Sequence, residues 1–277
     1  MNEAELYVVA TPLGNRADIT LRAIEVLKNA VCIFAEDTRE AVKLLELCGI
    51  SPAGKKIHSY ASHNLKQATE LALRILQENR RVVLITDRGT PGISDPGALL
   101  VHAAREEGVR VVPIPGPSAV SALVSVSGLV DGQFIFWGFL PKEDKHRHEL
   151  WARWKQLGWA ACFFESPRRI RETASELKVF FPHGRIFIGR EMTKLHEEYR
   201  WLTLAELGPA DLPEQGEYAV LLDPGKYQEA DAWHREVALR LATDKEWSKD
   251  VAARHGVAAR DVYNALQQQR RDAQRQD

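Results

Sequence analysis

Four short β-rich runs, separated by longer amphipathic ones, fill the first 115 residues and restrict the fold more than any other feature. "ELYVVA" from Glu5, "VCIFA" from Val31, "RVVLIT" from Arg81 and "VRVVPI" from Val109 are nearly continuous in apolar character, so each reads as a strand buried on both faces. Between them, "DITLRAIEVLKNA", "REAVKLLELCG" and "NLKQATELALRILQEN" place apolar residues at helical spacing. Strands alternating with helices predict a largely parallel sheet covered on both sides. Ligands of such sheets sit outside the carboxyl ends of the strands. The loops after Ala10, Ala35, Thr86 and Ile114 are therefore the candidate site.

A second pattern begins near Pro117. "QFIFWGF", "AACFFE", "RIFIGRE", "EEYRWLTL" and "EYAVLLD" are closely spaced strands, with clear helices only around Lys145–Leu157 and Arg168–Phe180. This predicts an α+β arrangement with a mixed or mainly antiparallel sheet. "GPSA" from Gly116 reads as the joint, with Ser118 capping the next helix. Beyond "DPGKYQEAD" only helical patterns remain, and "SKDVAARHGVAARDVYNALQQQRR" reads as two helices broken at His255-Gly256-Val257. The expectation is two α/β domains, a parallel-sheet N-terminal domain over residues 1–116 and a mixed-sheet C-terminal domain over 117–226. A small helical, helix-turn-helix-like extension over 227–277 follows.

Composition narrows the function classes. The three cysteines are dispersed, which suits a reducing compartment and argues against a disulfide framework or zinc site. No secretory signal is visible, and the most apolar stretch, "AVSALVSVSGLV", is too short to cross a membrane. A cytoplasmic protein is expected. The nine histidines show no metal-ligand spacing beyond His146-x-His148, so no metal is expected. Net charge is −1, yet from Pro141 to Arg171 eight Lys and Arg face four Asp and Glu. Such an excess suits either contact with phosphates or a solvated helix face. The chain has neither the G-x-G-x-x-G nor the G-x-x-x-x-G-K-[ST] phosphate loop, and neither G-x-S-x-G nor H-E-x-x-H.

The loops carry the chemistry. In "TDRGTPGISDPG" from Thr86, Asp95 and Pro96 read as a helix start, with Asp accepting orphan N–H bonds and Pro at the first helical position. Asp87, Gly89, Thr90, Pro91 and Gly92 exceed what one cap requires and read as a ligand-facing loop; a tight turn is the alternative. "ATPLGN" from Ala10 repeats this logic, with Asp18 or Thr20 capping the next helix. "AEDTRE" sets Glu36, Asp37, Thr38 and Arg39 directly after an apolar strand, either as reacting groups or as an exposed ion pair. "SYASHN" adds His63 and Asn64. "FFESPRRIR" places Glu165 and Ser166 where a strand meets a helix, with Ser166 read as a cap.

Taken in order, "TPLGNRADIT", "AEDTR", "TDRGTPGISDPG", "VVPIPGPSA", "GFLP", "FFESPRRI" and "GREMTKLHEE" resemble the signature runs of the ribosomal RNA small subunit methyltransferase I family, a branch of the tetrapyrrole-methylase superfamily. The resemblance spans roughly residues 5 to 223. It implies an S-adenosylmethionine-dependent enzyme that methylates the ribose 2′-hydroxyl of a cytidine in the decoding region of 16S ribosomal RNA. It also implies a homodimer with the cofactor between two α/β domains, and the RNA or the small ribosomal subunit as partner. By position, Pro12, Gly14, Asp87, Gly89, Thr90, Ile93, Gly116, Ser118, Phe164 and Glu165 would hold the cofactor, with Met192 nearby. Glu36 to Arg39 would face the RNA, with Glu36 or Asp37 taking the hydroxyl proton and Arg39 holding a phosphate. His63, Lys142, Lys145, Arg147, Arg168 and Arg169 would extend the RNA contact, together with the helical tail. Three departures stand out: Arg88 replaces a small alanine, Arg16 an apolar residue, and "YASHN" lacks a His-Glu pair. Two rival readings share features of the chain: a porphyrinoid methylase of the same superfamily, and a non-catalytic RNA-binding protein.

Overall fold

The computed structural model describes residues 4–78, 80–129, 133–225, 248, 249, 252 and 258–265. The chain forms two compact units, Met1–Pro224 and Gly225–Asp277. In the second, residues 259–265 are helical, with Asp261 N–H bonded to the Ala258 carbonyl at 3.0 Å. The expected break at His255-Gly256-Val257 lies outside the described residues.

The first unit holds two five-stranded sheets. In the first, β1 (Glu5–Val9), β2 (Cys32–Ala35), β3 (Lys56–Ser59), β4 (Arg81–Ile85) and β5 (Arg110–Ile114) lie in the order β3-β2-β4-β1-β5. All pairs are parallel. Their unbroken apolar runs are divided by the pleat. Ile33, Ala35, Val83 and Ile85 point into one core, against α1 (Leu21–Asn29) and α2 (Thr38–Leu47). Cys32, Phe34, Val82 and Leu84 point into the opposite core, against α3 (Leu65–Gln77) and α4 (Gly97–Glu106). Burial on both faces is what a strand without polar alternation requires.

The second sheet contains β6 (Phe134–Phe139), β7 (Ala160–Glu165), β8 (Arg185–Arg190), β9 (Glu198–Thr203) and β10 (Tyr218–Asp223), in the order β6-β7-β10-β8-β9. Only β6 and β7 pair in parallel; the rest is antiparallel, as expected of a mixed sheet. One face packs on α6 (Asp144–Leu157) and α7 (Ile170–Phe180) through Trp151, Trp154, Ile170 and Leu177. The other face receives α5 (Ala119–Ser127) through Val120 and Leu123. The segment read as a joint thus delivers its helix onto the second sheet.

Local signals held with two shifts. Thr20 caps α1 through a 3.1 Å bond from Ala23 N–H, and α4 ends just before Gly108 at φ +70°. The helix after the 86–97 loop starts at Gly97, one residue later than expected, with Pro96 in the cap position. Asp95 instead accepts from the N–H of both Gly92 and Gly97, at 2.8 Å each, and so ties the loop to the helix. A Cβ on Gly97 would come within 2.9 Å of that carboxylate, which explains the glycine. Ser166 does not cap α7: its carbonyl starts a turn through Arg169, and the helix begins at Ile170.

Candidate active site

The loops at the carboxyl ends of the first sheet are stitched to one another. Thr11 and Gly89 form an antiparallel bridge, with N–H to carbonyl distances of 2.9 and 3.0 Å. Thr11 Oγ1 also donates to the Thr86 carbonyl at 3.0 Å. Gly89 takes φ +83°, and a Cβ there would press on Leu13 at 3.3 Å, so the bridge favours glycine twice over. Across the gap, Thr90 Oγ1 donates to the Pro117 carbonyl and Asn15 N–H to Thr193 Oγ1.

These loops and the second sheet enclose a cavity of about 710 Å³. Of the residues assigned to a cofactor, Asp87, Gly89, Thr90, Ile93, Ser118, Phe164 and Glu165 line it, as does Met192. Pro12 and Gly14 line a smaller neighbouring cavity of about 250 Å³, and Gly116 lines neither. Sequence reasoning missed Leu13, Val120, Phe139, Glu217 and Tyr218, which also form the wall. The neighbours Leu13 and Val120 sat inside quoted motifs; Glu217 and Tyr218 open a strand remote in sequence and carried no local signal.

The charge of the large cavity is one-sided. Among the described residues, Glu36, Asp37, Glu40, Asp87, Asp95, Glu165 and Glu217 line it, against Arg88 alone. Arg88 does not fill the space; its guanidinium pairs with Glu217 at the start of β10, so it bridges the first-sheet loop to the second sheet. Glu36 Oε2 accepts from Thr86 Oγ1 at 2.7 Å. Asp87 Oδ1 accepts from Asp37 N–H at 3.0 Å. Burial, reinforced by the neighbouring Glu36, Asp37 and Glu40 carboxylates, holds the Asp87 carboxyl above its ordinary value.

Five of the assigned side chains are engaged within the protein itself. Asp37 caps α2 by accepting from Arg39 N–H at 2.8 Å, and the Arg39 guanidinium grips it at 3.1 and 2.6 Å. Those bonds bring its pKa down to about 2, which makes it a poor proton acceptor near neutral pH. Arg39 is correspondingly engaged, though its side chain is 84% exposed. Arg147 is not a surface cation: it is 1% exposed, and its guanidinium meets Asp144, Glu172 and Glu176 at 2.6 to 2.9 Å. Arg169 donates to the Pro141 carbonyl at 2.8 Å and pairs with Glu165, so it too is committed inside the protein. Glu165 accepts from Thr173 Oγ1 and from Ser166 N–H, and is 2% exposed. Its carboxylate braces the wall of the cavity. His63, Lys142, Lys145 and Arg168 are exposed, as an RNA contact requires, whereas Asn64 is spent on Ala61 N–H and the Ser59 carbonyl.

The architecture is a parallel sheet facing a mixed one, with an acidic cleft at the strand ends. Residues 5–208 match the tetrapyrrole (corrin/porphyrin) methylases, and the chain belongs to that family. The crystal structure of the methyltransferase CobJ shares the fold, with a TM-score of 0.60 at 19% identity over 79% of this chain and 94% of that one. More similar in sequence are proteins named ribosomal RNA small subunit methyltransferase I. That of Neisseria meningitidis is 40% identical, over 80% of this chain and 76% of its own. That of Halalkalibacterium halodurans is 36% identical, over 97% of this chain and 96% of its own. The Bacillus subtilis protein is 33% identical, over 94% and 93%. Among the described residues no helix is long and apolar enough to cross a membrane.

Proposed function

We propose that this chain methylates the ribose 2′-hydroxyl of a cytidine in 16S ribosomal RNA, using S-adenosylmethionine. The observation that carries the reading is its similarity, over nearly the whole chain, to proteins named for methylating small-subunit ribosomal RNA. The cavity's chemistry fits the donor. Its seven carboxylates suit a ligand bearing a sulfonium and an ammonium, and Leu13, Val120, Phe139 and Phe164 offer apolar surface to an adenine. Asp87, Thr90 and Ser118 supply polar contacts, and Gly89 lets a ligand approach the backbone. When bound, S-adenosylmethionine supplies an electrophilic methyl and leaves as a neutral thioether once the acceptor oxygen has taken that methyl and lost its proton.

The chain's own task is to align the acceptor, exclude water and receive that proton. Of the two acids after β2, Glu36 is the acceptor we assign, because its Oε1 has no partner among the described residues while Asp37 is held ionised by Arg39. Lys142, Lys145, Arg168 and His63 meet the RNA backbone. The homodimer, the cytoplasmic location and a mechanism without metal belong to the same proposal.

Small subunits from a strain lacking the protein, incubated with it and labelled S-adenosylmethionine, should gain one 2′-O-methyl in 16S RNA, detected by ribose-methylation mapping. An unchanged map, or preferred transfer to a porphyrinoid in the same assay, would falsify the reading.

A further inference from the structure

The second cavity remains unexplained by donor binding. It has about 250 Å³ and shares a wall with the larger one, formed by Asp37, Glu40, Thr86, Asp87 and Arg88. Its lining is richer in cations. Where the large cavity sets seven carboxylates against one guanidinium, the small one sets Arg16, Lys43, Arg88 and Lys194 against Asp37, Glu40 and Asp87. Arg88 is paired with Glu217, and Lys194 with Glu191 and Glu217, which leaves Arg16 and Lys43 to meet an anion. They do so beside a wall that contains Asp37 after β2 and Asp87 after β4, while Glu36 lines the larger cavity.

We propose that this second cavity is the acceptor subsite, holding one sugar-phosphate of a single-stranded RNA by Arg16 and Lys43 while its ribose faces the shared wall. The inference rests on the methyl-transfer reading and names where its substrate sits. Arg16 begins a 3₁₀ turn, Arg16–Asp18, that is fixed on both sides: Asn15 caps Ala17 N–H at 3.0 Å, and Asn15 N–H is held by Thr193 Oγ1 at 3.0 Å. Its guanidinium is exposed and forms no ion pair among the described residues, so it is free for bidentate contact with phosphate. Among the described residues Lys43 pairs only with Glu40, at 2.6 Å, and both are well exposed. An exposed pair of this kind is worth about 1 kcal/mol or less, so a phosphate can take the lysine over. Size points the same way. Ordinary ligand pockets span roughly 300–1,000 Å³, and this cavity falls below that range, which suits one sugar-phosphate and not a porphyrinoid ring.

The test uses the full-length protein and a short fluorescent oligocytidylate, read by anisotropy with S-adenosylmethionine present. The double variant Arg16→Ala/Lys43→Ala should weaken binding by about tenfold and flatten the slope of log Kd against log salt by about 0.7, the value for one phosphate contact on a single strand. Leu47→Trp, which fills the same cavity from an exposed position, should weaken binding without changing that slope. Arg105→Ala, an exposed cation on α4, should leave binding unchanged. Calorimetric affinity for S-adenosylmethionine should stay within about twofold in every variant, which also reports that each has folded. Wild-type protein that does not bind the oligonucleotide, or a double variant that binds like wild type, overturns the inference. Binding lost in the double variant while wild type methylates no small-subunit RNA would keep the subsite and overturn the function.

Discussion

Arg147 and Arg88 both meet carboxylates, and the two assemblies do opposite work. Arg147 lies on the face of α6 that meets α7, where it gathers Asp144, Glu172 and Glu176, donates to the Lys142 carbonyl at 2.7 Å, and shares Glu176 with the Trp151 indole. It locks two helices over an aromatic core in which Trp151, Trp154 and Phe163 touch. Arg88 stands at the rim of the acidic cleft, and it and its partner Glu217 are half-exposed, at 48% and 60%. The first pair is part of the frame; the second lies where a ligand must pass. Solvent access alone separates them, because a buried charge that loses its partner has no water to replace it.

Four experiments can break or sharpen that division. The largest effect is expected from Arg147→Ala, which should lower unfolding free energy by on the order of 3 kcal/mol, measured in urea, by taking the guanidinium away from the half-buried Glu176. A loss of RNA affinity with unchanged stability would move Arg147 from the frame to the binding surface. Next, Glu36→Gln should slow single-turnover methyl transfer by about 100-fold on saturating RNA while preserving cofactor affinity. Asp37→Asn should leave the rate within a few fold and cost about 1 kcal/mol of stability as the α2 cap weakens. Equal rate losses in the two variants would remove the distinction between a proton acceptor and a cap.

Asp87 offers a test with a sign. Its folded-state carboxyl titrates above the ordinary value because of burial and then its acidic neighbours. The folded protein therefore binds this proton more tightly than the unfolded chain, and the associated stability, present at acid pH, is lost as pH rises through the folded pKa. Asp87→Asn should accordingly raise the melting temperature at neutral pH, with a gain that shrinks toward acid, while weakening cofactor binding. A gain independent of pH would point to packing instead of charge. The smallest effect belongs to Arg88→Ala, which should change stability by less than about 1 kcal/mol, and by less still in high salt. A loss as large as that of Arg147→Ala would place Arg88 in the frame and erase the comparison.

Legibility in the sequence followed the range of the interactions. Strand and helix positions depend on neighbours two to four residues away, so the runs from Glu5 to Ile114 marked β1, β2, β4 and β5 to within a residue or two. The polar β3, none of whose residues is fully buried at its edge position, does not stand out among the apolar runs. Thr20 and the glycine after α4 were likewise local signals. The strand-end rule directed attention to the right loops, because all four converge at one end of a parallel sheet.

The chain's own order of residues thus determined the alternating architecture, the Thr20 cap, the family and the set of loops that form the cleft. Tertiary structure decided which charges those loops keep. Arg147 and Lys145 stand two positions apart on one helix, yet the first is buried and the second exposed, according to which face of α6 meets α7. Glu217 joins the site from 129 residues beyond Arg88, and Asp37 loses its claim as a base to the arginine two positions after it. The two cavities exist only where distant loops meet. Burial and pairing are properties of surfaces in contact, and no window along the chain contains both surfaces.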